Sequence, residues 1–187
     1  MMKKHLLVLL AVSALLGCVP QPARIDTPRV EAVDKSYSLD LPVGWIRQYT
    51  PEKNLIASRD GLPLELIAVV KRPLKQAFPK TKKEAGETML ASELAEREIA
   101  ELKSRDEQTQ ALVVLENEPA TVSGREGFRL KVSYRTPRGL EVHEVVYGFT
   151  DKSSMYRLDY RAPKLHYFDR YSDDFEKAVK SFTLGKG

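Results

Sequence analysis

The side chains able to do chemistry are few and scattered. Beyond the first few residues the chain carries two histidines, His143 in "LEVHEVV" and His166 in "KLHYFDR", 23 residues apart. No cysteine or carboxylate stands at metal-ligand spacing beside them. A general acid or base must be held within hydrogen-bond reach of a reacting atom, and the sequence places no orienting carboxylate for either histidine. Ser123, in "VSGREGF", lacks the Gly-x-Ser-x-Gly context of a nucleophile elbow. The same run is too short to cradle a phosphate. The residues therefore predict no catalytic centre, no metal and no cofactor, and a protein that is not an enzyme.

Charge offers more. Lys131, Glu144 and Arg161 fall on three consecutive predicted strands. Side by side they would form a candidate binding face for an acidic partner, or a cross-strand charge network of purely structural use. The segment "KRPLKQAFPKTKK" gathers Lys71, Arg72, Lys75, Lys80, Lys82 and Lys83, a basic connector able to touch anionic headgroups or simply to stay solvated. Trp45 and Tyr49 follow a Pro-x-Gly bend, where a tryptophan is expected to pack on the end of a sheet. Net charge excludes one class of partner. The formal charge is +4, but Lys3 and Lys4 belong to the leader, so the rest carries only about +2. That is too little to argue for nucleic acid.

The leader contains the single cysteine. Met1 to Lys4 is a short basic start and Leu6 to Leu16 an apolar run of eleven residues broken only by Ser13. The run is too short to cross a hydrocarbon core as a helix and has the layout of an export signal. It ends in "LLGC", Leu15 to Cys18, which resembles the bacterial lipobox. The resemblance implies diacylglycerol on Cys18, cleavage between Gly17 and Cys18, and acylation of the new N-terminus. Two or three acyl chains anchor stably where one does not. Val19 follows the cysteine where an Asp would resemble an inner-membrane retention signal. In a two-membrane cell this favours the periplasmic leaflet of the outer membrane. Residues 1–17 are thus read as a lipoprotein signal peptide, 18–34 as the acylated cysteine and a Pro-rich tether, and 35–187 as one domain.

The domain reads as α+β. "YSLDLPVGW" alternates like a strand and stops at Pro42 and Gly44. Leu55 to Ser58 and Leu64 to Val70 form a hairpin about Arg59-Asp60-Gly61, and the second arm is apolar enough to be covered on both faces. A helix is predicted from about Thr81 to Arg105, with Thr81 and Glu84 in capping-box spacing. Strands follow over Ala111 to Asn117, Ala120 to Arg135, Leu140 to Thr150 and Met155 to Ala162, with turns at Ser123-Gly124, Thr136 to Gly139 and Asp151 to Ser154. Pairing Thr136 with Gly139 sets Leu130 opposite Val145 and Phe128 opposite Tyr147. The next turn sets Tyr147 beside Leu158 and Val145 beside Tyr160. Phe128, Leu130, Val132 and Tyr134 then share a face with Val145, Tyr147, Leu158 and Tyr160. Lys131 and Arg161 flank Glu144 on the other. A last helix, Leu165 to Phe182, carries Phe168, Tyr171, Phe175, Ala178 and Phe182 at helical steps.

This order of elements resembles the PsbP-like fold, which includes PsbP subunits of photosystem II, a Ran-binding transport factor and DcrB-like bacterial lipoproteins. Pro42, Gly44 and Trp45 after the first strand, and Phe175, Ala178, Ser181 and Phe182 near the end, carry the resemblance. It implies a three-layer sandwich, an antiparallel sheet between helices, and a habit of binding proteins. The function so implied is a membrane-anchored, non-enzymatic envelope lipoprotein that binds a protein partner or maintains the envelope. The alternative is a carrier or sensor of a small anionic or lipidic ligand held between sheet and helix.

Overall fold

The computed structural model describes residues 21–52, 54–105 and 110–185; Cys18 and the signal segment lie outside them. In chain order the strands are β1 (Ala23–Arg24), β2 (Arg29–Glu31), β3 (Tyr37–Asp40), β4 (Ile46–Tyr49), β5 (Leu55–Ser58), β6 (Leu66–Pro73), β7 (Gln110–Val122), β8 (Arg125–Arg135), β9 (Glu141–Asp151), β10 (Ser154–Pro163) and β11 (Thr183–Leu184). Helix α1 (Ala91–Lys103) separates β6 from β7, and α2 (Asp169–Ser181) precedes β11. The large sheet has the order β1-β4-β5-β6-β10-β9-β8-β7 and the small one β11-β3-β2. Neighbouring strands in both are antiparallel. The α+β sandwich expected from the sequence is the observed architecture.

Both faces of the large sheet are covered, which is why the middle of β9 and β10 is buried almost without interruption. On one face α2 and the small sheet close over Val145, Phe149, Leu158 and Tyr160, with Phe168, Tyr171, Phe175, Ala178 and Phe182 all pointing inward. Phe149 stacks on Tyr156 at 5.2 Å and Tyr160 on Phe175 at 5.8 Å. Trp45 is fully buried with its ring edge-on to Tyr171 at 5.2 Å, the packing role its position suggested. On the other face Leu94 and Ala95 of α1 pack with Phe78, Phe128, Leu130 and Val146. A smaller cluster joins Leu102 to Val132, Tyr134 and Val142.

Four expectations differ from the structure. The segment read as a tether is partly built into the domain: β1 pairs with β4 and β2 with β3, burying Ile25, Val30 and Ala32. Pro22 precedes β1 and Pro28 lies between β1 and β2, so they interrupt pairing without preventing it. Helix α1 starts ten residues later than Thr81. The Leu90 N–H donates to Glu93 Oε2 at 3.0 Å and caps the helix there, while Thr81 and Glu84 lie in a preceding loop. Helix α2 begins at Asp169, because His166 takes a left-handed conformation, φ 70°, just before it.

The fourth difference is register. Gly139 N–H donates to Thr136 O at 2.8 Å, closing a tight turn, and Thr136 N–H donates to Leu140 O at 2.9 Å. Gly139 has φ 79°. A turn followed by a left-handed glycine adds one residue to the loop. Leu130 therefore pairs with Val146, and Phe128 with Gly148, instead of with Val145 and Tyr147. The second hairpin is as expected, with Tyr147 opposite Leu158 and Val145 opposite Tyr160. One residue of slip turns a whole strand over. Phe128, Leu130, Val132 and Tyr134 thus face α1, and α2 packs on β9 and β10 without them.

Gly148 makes this register possible, since a Cβ there would strike the Phe128 ring. Gly148→Ala is expected to lower stability by about 1–3 kcal/mol through overpacking. The loss should be smaller in a Phe128→Leu background, as read by denaturant midpoints in a double-mutant cycle.

Candidate functional site

Charge is concentrated under α1. Glu98 and Glu101 lie on its buried face, and Glu144, Arg157 and Asp159 on the sheet beneath. Arg157 Nε donates to Glu98 Oε1 at 2.8 Å and its NH2 to Glu144 Oε1 at 2.6 Å, while NH1 reaches Asp159. Arg105, just past the helix end, donates NH1 to both oxygens of Glu144 at 3.0 Å. Burial opposes the ionisation of Glu144, but Arg105, Arg157 and Arg161 outweigh it and hold the carboxyl below its usual range. Asp159 goes the other way: burial, with the Glu144 charge nearby, raises its pKa against the pull of Arg157. Burial also works against the Arg157 charge, yet Asp159, Glu98 and Glu144 raise its pKa.

Beside this network a cleft of about 500 Å³ opens at the end of the sheet where β8 leaves and β9 begins. Its walls are apolar, from Leu62, Leu64, Tyr134, Val142 and Pro163. Arg105, Arg138 and Arg161 line it, and among the described residues no carboxylate does. Arg161 makes no ion pair among the described residues. The wall carrying Leu62 and Leu64 is fixed by buried Glu65, whose Oε1 accepts the N–H groups of Arg59 and Asp60 at 2.6 Å each and the Ser58 hydroxyl at 3.0 Å. The arrangement suits an anion attached to an apolar body.

The Lys131, Glu144 and Arg161 face is divided by the bulge. Glu144 sits opposite Arg161, but Lys131 pairs with Val145 and points to the α2 side, where its ammonium lies 3.4 Å from Glu116 and over the Phe168 ring. Glu144 is fully buried and open to no partner. Only Arg161 reaches the cleft. His143 pairs with Ser133 rather than lying beside Val132. It does have a carboxylate, Glu141, 3.5 Å from Nε2, although burial lowers its pKa more than Glu141 raises it. His166 stands in the turn before α2. The Ser123 hydroxyl accepts the Leu184 N–H at 3.0 Å, a structural duty. Among the described residues no group of His, Cys, Asp and Glu is placed to hold a metal.

Sequence reading set Glu144 and Arg161 on one face, as they are, but missed Glu98, Glu101 and Arg105. Their signal was present: Glu98 and Glu101 share the helix face of Leu94 and Leu102, where a carboxylate must meet a partner.

A two-sided antiparallel sheet, with one helix over each face and a small sheet joining the second, defines the PsbP-like class of α+β domains. The chain belongs to the PsbP family, whose pattern matches residues 28–184. No curated protein matches it. Among solved structures it is similar to cyanobacterial PsbP (CyanoP) from Synechocystis, at 15% identity and a TM-score of 0.61, covering 90% of this chain and 98% of that one. LpqN, involved in cell envelope biogenesis of Mycobacterium tuberculosis, is 13% identical at a TM-score of 0.55, covering 89% and 90%. The Ran-binding protein Mog1p of Saccharomyces cerevisiae is 12% identical at 0.53, covering 87% and 96%. Likeness at this level defines the fold alone.

Glu144→Gln leaves Arg105 and Arg157 without their shared charge and is expected to cost about 3–5 kcal/mol at neutral pH. A carboxyl whose folded pKa is depressed stabilises above its unfolded value and loses that contribution as pH falls through the folded one. The gap between wild type and Glu144→Gln should therefore shrink on acidification below about pH 4.3, the unfolded Glu value. Urea unfolding across acidic pH measures it. A gap independent of pH would mean that Glu144 is not ionised in the fold.

Proposed function

We propose that this chain is a lipid-anchored, non-enzymatic binding module of the cell envelope, acylated at Cys18, which engages an anionic, partly apolar segment of a protein partner. The observation that carries the reading is the cleft at the β8–β9 end, with Arg105, Arg138 and Arg161 over apolar walls and no acidic lining among the described residues. Guanidinium groups bind carboxylates and phosphates in fixed, forked geometry, and apolar walls add affinity without chemistry. His143, paired only with surface Glu141 and set edge-on to Phe168, offers no second group for acid–base work. Anchoring rests on the lipobox resemblance of "LLGC", with the periplasmic leaflet of an outer membrane favoured by Val19. Among the described residues no helix is long and apolar enough to cross a membrane.

A second reading, a carrier or sensor of a small anionic or lipidic ligand, is supported by the volume of the cleft, about 500 Å³, which lies in the range of small-molecule sites.

Two measurements test this. Cys18→Ser should abolish acyl mass on the N-terminal peptide and release the protein from membranes; unchanged fractionation with no acyl mass on the wild type defeats the anchoring. Affinity purification from native membranes should recover a protein partner with wild type and lose it with Arg138→Glu plus Arg161→Gln at unchanged circular dichroism. Recovery of a small anionic molecule instead selects the second reading. Turnover of an ester, phosphoester or peptidoglycan substrate that is lost in His143→Ala overturns both.

A further inference from the structure

Traced backward from β1, the chain heads toward the end of the large sheet opposite the cleft. β1 runs antiparallel to β4, with Ala23 opposite Arg47 and Arg24 opposite Ile46, so the residues before Ala23 lead toward Tyr49. Tyr49 pairs with Leu55, and Leu55 with Val69, two residues from Lys71. The cleft lies at the other end, where Leu66 pairs with Arg161. The eight residues of β6 between the two ends span roughly 25 Å.

A groove of about 790 Å³ occupies the entry end. Lys71, Arg72, Lys75, Lys82 and Lys83 line it against two acidic residues, Glu52 and Glu84. Lys75, Lys82 and Lys83 are exposed and make no ion pair among the described residues. The connector that carries them is not a loose lysine loop. Phe78 is fully buried beneath it, and its backbone exchanges two hydrogen bonds of 3.2 Å with Lys83. Buried Glu101 accepts the N–H groups of Lys80 and Thr81 at 2.8 and 2.9 Å and the Thr81 hydroxyl at 3.0 Å. A connection this long with only one short 3-10 turn, Leu74–Gln76, is usually functional or disordered, and this one is ordered by a buried carboxylate from α1.

We propose that this basic end is a docking surface for the anionic phospholipid headgroups of a bilayer. Lysine ammonium groups are compact charges that meet phosphate without fixed geometry, and each contributes near an anionic surface. The choice of a bilayer rests on the anchoring reading: Cys18 lies five residues before Ala23, a reach of at most about 18 Å, so an acylated Cys18 in the direction β1 takes would bring this end to the membrane. The large sheet then stands on its basic end and presents the arginine cleft away from the lipid, to soluble partners.

A chain beginning at Val19 tests the surface apart from the anchor, because every strand and helix described lies within Ala23–Leu184. Sedimentation with phosphatidylglycerol vesicles should show binding that phosphatidylcholine vesicles lack and that added salt reverses. Lys75→Gln, Lys82→Gln and Lys83→Gln together should weaken it about a hundredfold, from the usual contribution per lysine, with the thermal unfolding midpoint unchanged. Lys103→Gln with Lys164→Gln, exposed lysines toward the far end and outside the cleft lining, should bind like wild type. Equal binding to both vesicles, or equal weakening by both sets of variants, overturns the proposal. Neither outcome bears on acylation of Cys18, which the mass of the N-terminal peptide reports independently.

Discussion

Arg157 is the point on which the layers are fixed. It sits on the central strand β10, beneath α1, where an isolated charge would be prohibitively costly. Glu98 comes down from the helix, and Glu144 and Asp159 come from the sheet, so one guanidinium joins the two layers. Apolar contacts alone would tolerate a small slide of the helix; this junction does not. Glu101, one turn along the same helix face, reaches the other way and orders the basic connector. Arg105, just beyond the helix, is held by Glu144 at the lip of the cleft. The placement of α1 thus sets both the arginine cleft and the lysine groove.

How much of this was legible in the residues varies by element. The aromatic stripe of α2 was clear, because Phe168, Tyr171, Phe175, Ala178 and Phe182 repeat at helical steps and nothing competes with that pattern. The β9–β10 register was equally plain, since Asp151 to Ser154 admits a tight two-residue connection. The β8–β9 register was not. Thr136-Pro137-Arg138-Gly139 fits a simple four-residue turn and also a turn with a bulge, and composition does not separate them; the left-handed Gly139 does. That one residue moved Lys131 to the opposite face and dissolved the expected charged ladder. Both faces of β8 could accept an apolar set because both faces of the sheet are covered, so the usual inside–outside check on register was silent.

The cleft was illegible for a different reason. Its arginines come from the end of α1, the β8–β9 turn and the end of β10, and its apolar wall from the loop before β6. No local pattern announces residues that only the sheet order brings together. Membership of the PsbP family accounts for the frame that assembles them but assigns them no task, since a shared frame hosts unrelated ones. On that frame this chain carries forked cations at one end and lysines at the other.

The small sheet sets the order in which this frame can close. β3 lies between β2, from the start of the domain, and β11, which follows α2. Tyr37 pairs with Leu184, Gly185 N–H donates to Ser36 O at 2.8 Å, and Arg29 reaches Ser181 O at 3.0 Å. A chain delivered from its N-terminus therefore holds β2 and β3 with an empty edge until its final segment arrives. The aromatic side chains that α2 will cover also stay exposed until then. Contacts between segments so far apart form late. The domain is thus closed by its last residues, and no shorter N-terminal fragment can complete the small sheet.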